Sequence, residues 1–247
     1  MRHNIIDFLK ESVQKRTSWW LLAFLFLLAS TLGWGFRRGT LPQELNKLIL
    51  TGHETLRTEE IVQIMGIQPG TSFENYDLGQ MEHRLTSHPR IKSAHLEKKT
   101  DDQLLVEITE RKPNYLVNSD GHLFEIDSDL KILSMDDVRS QGLTVLSGTF
   151  PREKGEVVGA AFKDLHTSVE NAFRSYPALK TRISEVSLHE DGEIFVYADT
   201  PLSVRVQVGT LFQTEQVRKL YAVLAYLEKE KVRPKLVDIR GEDAVYH

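Results

Sequence analysis

Residues 19–36 read WWLLAFLFLLASTLGWGF, an 18-residue run without a charge that holds all three tryptophans of the chain at its two ends. At ~1.5 Å per residue such a helix covers roughly 27 Å, close to the ~30 Å hydrocarbon thickness of a bilayer, and indole rings favour the interfacial layer. The run reads as a membrane span, so the rest of the chain must fold as a body tethered at one end. A cleaved export signal is the competing reading, but its apolar core is usually ~7–15 residues long and gives way to small residues at the cut. Here Leu32, Trp34 and Phe36 close the run and no Ala-x-Ala follows, which favours an uncleaved anchor.

Arg2, Lys10, Lys15 and Arg16 precede the run while Arg37, Arg38 and Lys47 follow it, so charge counting says little about direction. A short tail before a single span and a long domain after it imply a tail inside and a domain exported, because long domains translocate largely regardless of charge. The reading is a cytoplasmic tail over 1–18, a transmembrane helix over 19–36, a linker over 37–44 and an exported body from 45 onward.

Of 31 basic and 35 acidic residues, four and two lie in the tail, so the rest of the chain is acidic by six charges. Nucleic-acid binding leans on neutralising phosphates, and beyond the short Arg37-Arg38 and Lys98-Lys99 pairs no basic stripe exists to do it. Cysteine is absent, which removes disulfides, thiolate nucleophiles and sulfur-ligated metals.

Along the exported part, 45–50 reads as a strand and Thr51-Gly52-His53-Glu54 as a turn. A first helix starts at Thr58 as N-cap, with Glu59 and Glu60 in its first turn, Ile61, Ile64 and Met65 on one face, and Gly66 as its stop. A second opens at Asp77, three residues before Gln80, and carries Leu78, Met81 and Leu85. The period then changes to two: 90–98 and 104–110 read as a hairpin. The order is β-α-α-β-β, with a boundary at Lys112-Pro113. Beyond it, 115–117, 123–126 and 130–133 read as a meander, 158–176 as a long amphipathic helix ended by Pro177, and 183–188, 193–198 and 202–208 as strands. A helix over 214–230, with Val217, Leu220, Tyr221, Leu224 and Leu227 inward, leads to extended segments at 235–240 and 244–246. The fold class is α+β: a two-helix, three-strand domain, then a mixed, largely antiparallel β domain with two packed helices.

Motifs for chemistry are missing. His83, His88 and His95 are spaced by five and seven, which shares no helix face and makes no zinc pair. There is no Gly-x-Ser-x-Gly elbow and no Walker loop, and Gly33-Trp34-Gly35 belongs to the membrane edge rather than to a dinucleotide fingerprint. Asp127-Ser128-Asp129 lacks the glycine and distal glutamate of a calcium loop, and Asp101-Asp102 and Asp136-Asp137 sit where turns are expected.

The stretch 45–113 resembles a POTRA domain in the version carried by FtsQ/DivIB bacterial cell-division proteins. The residues that carry the likeness are LTGHETL, MGIQPGTSF and HPRIKSAHLEKKTDDQLLVEITERKP, within which Pro-x-Ile-x-x-Ala-x-Leu precedes an alternating strand ending in Glu-Arg-x-Pro. Residues 121–133, LTVLSG at 143–148 and LVDIR at 236–240 resemble the hairpin, strand and terminal Asp-x-Arg strand of the same family. Members often have an aromatic where Arg90 stands, Trp-Pro at Thr100-Asp101, and an aromatic where Gly241 follows the arginine.

The resemblance implies a POTRA domain over 45–112, an FtsQ-type β domain over 113–247, and a non-enzymatic scaffold of the division machinery in the cytoplasmic membrane. It implies binding of FtsL and FtsB (DivIC) at the septum; the charge and the missing motifs themselves point to no cofactor, metal, nucleic acid or small-molecule substrate. A last strand with no successor leaves N–H and C=O groups that can accept a partner strand. The expected surface is Asp238, Ile239, Arg240, Gly241, Ala244, Val245 and Tyr246, with Val245 and Tyr246 as apolar anchors. The competing reading makes 235–240 an inner strand and Asp238–Arg240 a surface ion pair. Other functions weighed are a POTRA-bearing export or envelope-assembly component and a membrane-anchored cell-wall enzyme.

Overall fold

The computed structural model describes residues 45–68, 71–100 and 102–246; the expected tail, membrane span and linker lie outside them. Among the described residues no helix is long and apolar enough to cross a membrane.

Strand β1 (Lys47–Thr51) enters a two-helix crossover, α1 (Thr58–Met65) and α2 (Leu78–Thr86), before the hairpin of β2 (Ile91–Thr100) and β3 (Gln103–Glu110). The sheet order is β1-β3-β2, with β1 parallel to β3 and β2 antiparallel to it. Ile61, Met65, Met81 and Leu85 of the helices bury against Ile91, Leu96, Leu104, Val106 and Ile108 of the sheet. The cap of α1 sits one residue earlier than the sequence suggests. The Arg57 N–H donates to Glu60 Oε2 at 2.8 Å, so the box closes on residue 57, and Thr58 Oγ1 lies 3.5 Å from His53 Nε2 instead. At α2 the expected cap forms, with Asp77 Oδ1 accepting from the Gln80 N–H at 3.1 Å.

The Glu110 carboxylate has a structural task. It accepts the N–H groups of Glu54 (3.0 Å), Thr55 (3.0 Å) and Leu56 (3.0 Å), pinning the loop between β1 and α1 to the end of β3. Burial alone would raise its pKa, but the three N–H bonds prevail and hold it below the usual carboxylate range. The same loop requires a glycine, because at Gly52 (φ +80°) a Cβ would lie 1.9 Å from the Ile108 carbonyl oxygen.

Beyond Glu110 the chain passes straight into β4 (Pro113–Ser119), β5 (His122–Asp127) and β6 (Ile132–Met135). The third strand of this meander starts later than expected because Leu130 takes φ 64° in a turn that Asp127 closes, its Oδ1 accepting from the N–H groups of Asp129 (2.9 Å) and Lys131 (3.0 Å). Then follow β7 (Val145–Ser147), the small hairpin β8 (Arg152–Glu153) and β9 (Glu156–Val157), α3 (Ala160–Ser175), β10 (Ile183–Leu188), β11 (Ile194–Ala198), β12 (Val204–Gly209), α4 (Thr214–Glu230), β13 (Leu236–Asp238) and β14 (Val245–Tyr246).

Among the described residues these strands, apart from the small hairpin, form a nine-stranded sheet in the order β14-β13-β12-β11-β10-β7-β4-β5-β6. The pairs β4–β7, β7–β10 and β12–β13 are parallel and the others antiparallel. The two parallel crossovers made through a helix, β7-α3-β10 and β12-α4-β13, start from strands that point the same way and step the same way along the sheet. Right-handed connection therefore puts both helices on one face. The burial pattern agrees: Phe162, Leu165, Val169 and Phe173 of α3 and Val217, Leu220, Leu224 and Leu227 of α4 share one core with Val186, Val196, Val206 and Val237. The alternate residues Glu185, Tyr197, Arg205 and Gln207 point to the uncovered face.

Candidate partner-binding edge

The nine-stranded sheet has two ends, treated differently. At the β6 end the β8–β9 hairpin folds over the strand, the Ile132 N–H donating to the Gly155 carbonyl at 2.8 Å and Lys131 bridging to Glu156. At the other end β14 pairs with β13 through Val237↔Tyr246 and Asp238↔Val245, and among the described residues no strand covers its outer side. The free edge is therefore β14. Residues 236–238 form an inner strand, held on the other side by β12 through Arg205↔Leu236, Val206↔Val237 and Gln207↔Asp238.

This arrangement divides the expected surface. Asp238, Arg240, Gly241, Ala244, Val245 and Tyr246 all lie on the β13–β14 hairpin, and residues 240–246 are exposed. Ile239 is 1 % exposed and its N–H donates to the Gln207 carbonyl at 3.0 Å, so its side chain supports the edge from the core. The Asp238–Arg240 ion pair does exist: Arg240 Nη2 lies 2.8 Å from Asp238 Oδ2 and Nε 3.0 Å from Oδ1. Glu193 Oε2 lies 3.7 Å from Arg240 Nη1, and the Arg240 side chain runs over Gly209, where a Cβ would stand 3.4 Å from its Cγ. The guanidinium is thus fixed in direction while staying accessible.

The pleat sends the two apolar anchors to opposite faces. Tyr246 stands opposite Val237, which is buried under the helices, so Tyr246 lies on the helix-covered face. Val245, opposite Asp238, lies on the open face beside the row Ser187, Phe195 and Gln207. Val245 is 52 % and Tyr246 45 % exposed. On the helix side Tyr246 meets Tyr226 of α4, 51 % exposed, and the proximity of the two phenols pushes the Tyr226 hydroxyl's pKa up. Lys219, about two turns back on α4, donates its Nζ to the Gly241 carbonyl at 2.8 Å and ties the hairpin loop to the helix. Tyr226 and Lys219 were not among the expected residues, although an aromatic on the polar side of an amphipathic helix is a visible signal. Tyr221, expected inward, is only partly buried and stacks on Tyr176 with ring centroids 4.8 Å apart.

Elsewhere the chemistry is sparse. A cleft of about 570 Å³ beside α3 is lined by Leu165, Ser168, Ile194, Leu211 and Phe212, with Asp164 its one ionisable group. Among the described residues no group of three or more His, Cys, Asp or Glu side chains could hold a metal ion.

Two family models match the chain: the FtsQ-type POTRA domain over residues 44–111 and the C-terminal domain of cell division protein FtsQ/DivIB over residues 108–240. The chain belongs to the FtsQ/DivIB family of cell-division proteins. It is 25 % identical over 219 residues to the cell division protein FtsQ of Anaeromyxobacter sp. (strain K), covering 85 % of this chain and 72 % of the relative. It is also 29 % identical over 104 residues to FtsQ of Streptomyces griseus, covering 42 % of this chain and 50 % of that protein. A third FtsQ, from Syntrophotalea carbinolica (strain DSM 2380 / NBRC 103641 / GraBd1), is 27 % identical over 90 residues, 33 % of this chain and 32 % of the relative. The FtsQ/DivIB match ends at Arg240, so β14 lies beyond the matched residues.

Proposed function

We propose that this FtsQ/DivIB-family chain is a non-enzymatic scaffold of the division machinery. Residues 19–36 anchor it in the cytoplasmic membrane, with the POTRA and β domains outside and the protein enriched at the septum. Its β14 edge takes up a segment of FtsB/DivIC, and through that complex FtsL. The reading rests above all on one observation: among the described residues the sheet is closed by a hairpin at one end and left open at the other, with Val245, Tyr246 and Tyr226 exposed around the open strand. Main-chain hydrogen bonds from an added strand supply affinity, and pockets for alternate side chains supply specificity. Asp238, Arg240, Gly241 and Ala244 form the polar remainder of that surface, and Ile239 holds it from beneath.

The experiment is a pull-down of FtsB/DivIC with the Val245→Glu variant and with a chain cut after Arg240. Both lose the partner while circular dichroism and melting stay near the parent's, and a fluorescent fusion of the parent forms rings at midcell. Undiminished pull-down by both variants refutes the surface. An export or barrel-assembly role has less support, since residues 113–246 form an open sheet with two helices and not a closed barrel.

A further inference from the structure

Arg90, the residue that stands where family members often carry an aromatic, is 2 % exposed, and its Nη2 donates to Oε2 of the fully buried Glu125. The pair joins the start of β2 in the POTRA domain to β5 in the β domain. Arg90 Nη1 is buried without a hydrogen-bond partner among the described residues, so the pair leans on the remaining hydrogen-bonding positions of Glu125 being filled. At Glu125 they are: Ser134 Oγ donates to Oε2 at 2.7 Å, and the backbone N–H groups of Arg139 (3.0 Å) and Ser140 (2.8 Å) donate to Oε1. Burial would raise the Glu125 carboxyl, but these donors and the Arg90 charge bring it below its ordinary range.

The carboxylate therefore fixes the backbone of the loop between β6 and β7, and the loop returns to the POTRA domain. Arg139 makes a two-pronged pair with Glu60 of α1, Nη2 to Oε1 at 2.9 Å and Nη1 to Oε2 at 3.1 Å, and its Nε donates to Asp137 Oδ2 at 3.0 Å. The Arg139 guanidinium holds the Glu60 carboxyl down at about 2. Glu60 is itself the residue that caps α1, so the contact reaches a part of the POTRA domain that cannot rotate freely. Beside the covalent link, Arg111 Nη1 lies 2.7 Å from Asp127 Oδ2. Apolar contacts would let two domains slide against each other, whereas the two-pronged Arg139–Glu60 pair, backed by the single-pronged Arg90–Glu125 and Arg111–Asp127 pairs, fixes an angle.

We propose that residues 136–140 are an interdomain strap, with Glu125 as its fastening point and Arg139 as its hook on Glu60, that holds the POTRA domain at one set orientation on the β domain. The strap stands independently of which partner binds β14. Its consequence is that the open edge is presented in a fixed direction relative to the side from which the chain enters the POTRA domain, so the two domains act as one lever instead of two beads.

The test is the distance between spin labels on the full chain. Because the chain has no cysteine, His83→Cys on α2 and Lys163→Cys on α3, both exposed, place one label in each domain. With the strap intact, pulsed electron resonance gives one narrow distance population. Arg139→Gln and Glu60→Gln each broaden that population or shift its mean while circular dichroism stays that of the parent, and Glu125→Gln does so more strongly. If Glu125→Gln fails to fold, the Arg139 and Glu60 variants still decide, since Arg139 lies at the partly exposed end of the strap. A parent distribution that is already broad, or distributions unchanged in both the Arg139→Gln and Glu60→Gln variants, overturns the proposal.

Discussion

Replacing Tyr226 by alanine separates a binding site made of a strand edge alone from one that also uses the helix wall beside it. A buried tyrosine contributes ~200 Å² of surface, and about half of Tyr226 is exposed before any partner arrives, so a partner that covers it removes roughly 100 Å² from water. At ~25 cal/mol per Å², counting between two-thirds and all of that area as apolar, the loss corresponds to roughly 20- to 60-fold weaker binding. The folded state should hardly notice the change, because alanine is the best helix former and position 226 is not among the inward residues of α4. The measurement is a titration of the soluble part of FtsB/DivIC against the parent and Tyr226→Ala, with Lys229→Ala, an exposed position on the same helix, as the control. Binding of Tyr226→Ala within about two-fold of the parent's, while Val245→Glu abolishes it, would refute the helix contribution and confine the site to β14 and its open face.

Two further predictions concern the scaffold that holds the edge. Glu110→Gln leaves a single acceptor oxygen for three N–H donors and removes the charge, costing about 1.5–3 kcal/mol; a lower urea midpoint at unchanged slope, with faster hydrogen exchange at Glu54, Thr55 and Leu56, is the expected result. His166 sits between Tyr115, at 5.3 Å between ring centroids, and Phe162, at 6.1 Å, with its buried Nε2 unpaired; burial lowers its pKa despite the pull of Glu170. A histidine depressed on folding binds its proton more readily in the unfolded chain, so its contribution is present at high pH and is lost as pH falls through the unfolded value of ~6.5 and below. Urea melts between pH 8 and pH 5 should therefore show a loss of stability that is smaller in His166→Phe, and equal slopes in the two proteins would dismiss His166 as the source.

Local pattern carried much of this fold. The change of period from helical to alternating marks β2 and β3, and the apolar stripe of α4 spans 214–230 in sequence and structure alike. Such elements are written in residues that neighbour each other along the chain. The parallel pairings β1–β3, β4–β7 and β7–β10 join segments far apart, and no local periodicity reports them. That is why 236–238 could be read equally as an edge or as an inner strand: the difference depends on whether a short hairpin after Arg240 folds back, which Gly241 and two acidic residues do not announce. Arg90 shows the same limit from another side. A charged residue in place of an aromatic looks like a surface change until the buried partner Glu125, 35 residues away, is seen to receive it.

An open strand edge is a hazard as well as an opportunity, because unpaired N–H and C=O groups accept any extended chain, including another copy. The arrangement limits that hazard by length: among the described residues β14 is two residues long, with Glu242 and Asp243 just before it. So short a ladder offers too few main-chain bonds to hold an arbitrary strand, and discrimination must come from side chains on both faces at once. On the proposed reading, a fitting partner places one residue against Val245 on the open face and, at the next position of its own pleat, another against the Tyr246–Tyr226 pair on the helix face. A slip by one residue would exchange those two contacts and lose both. If β14 is the docking edge proposed above, the alternation of faces there turns a permissive edge into a selective one, and the proposed strap fastened at Glu125 sets the direction in which it is offered.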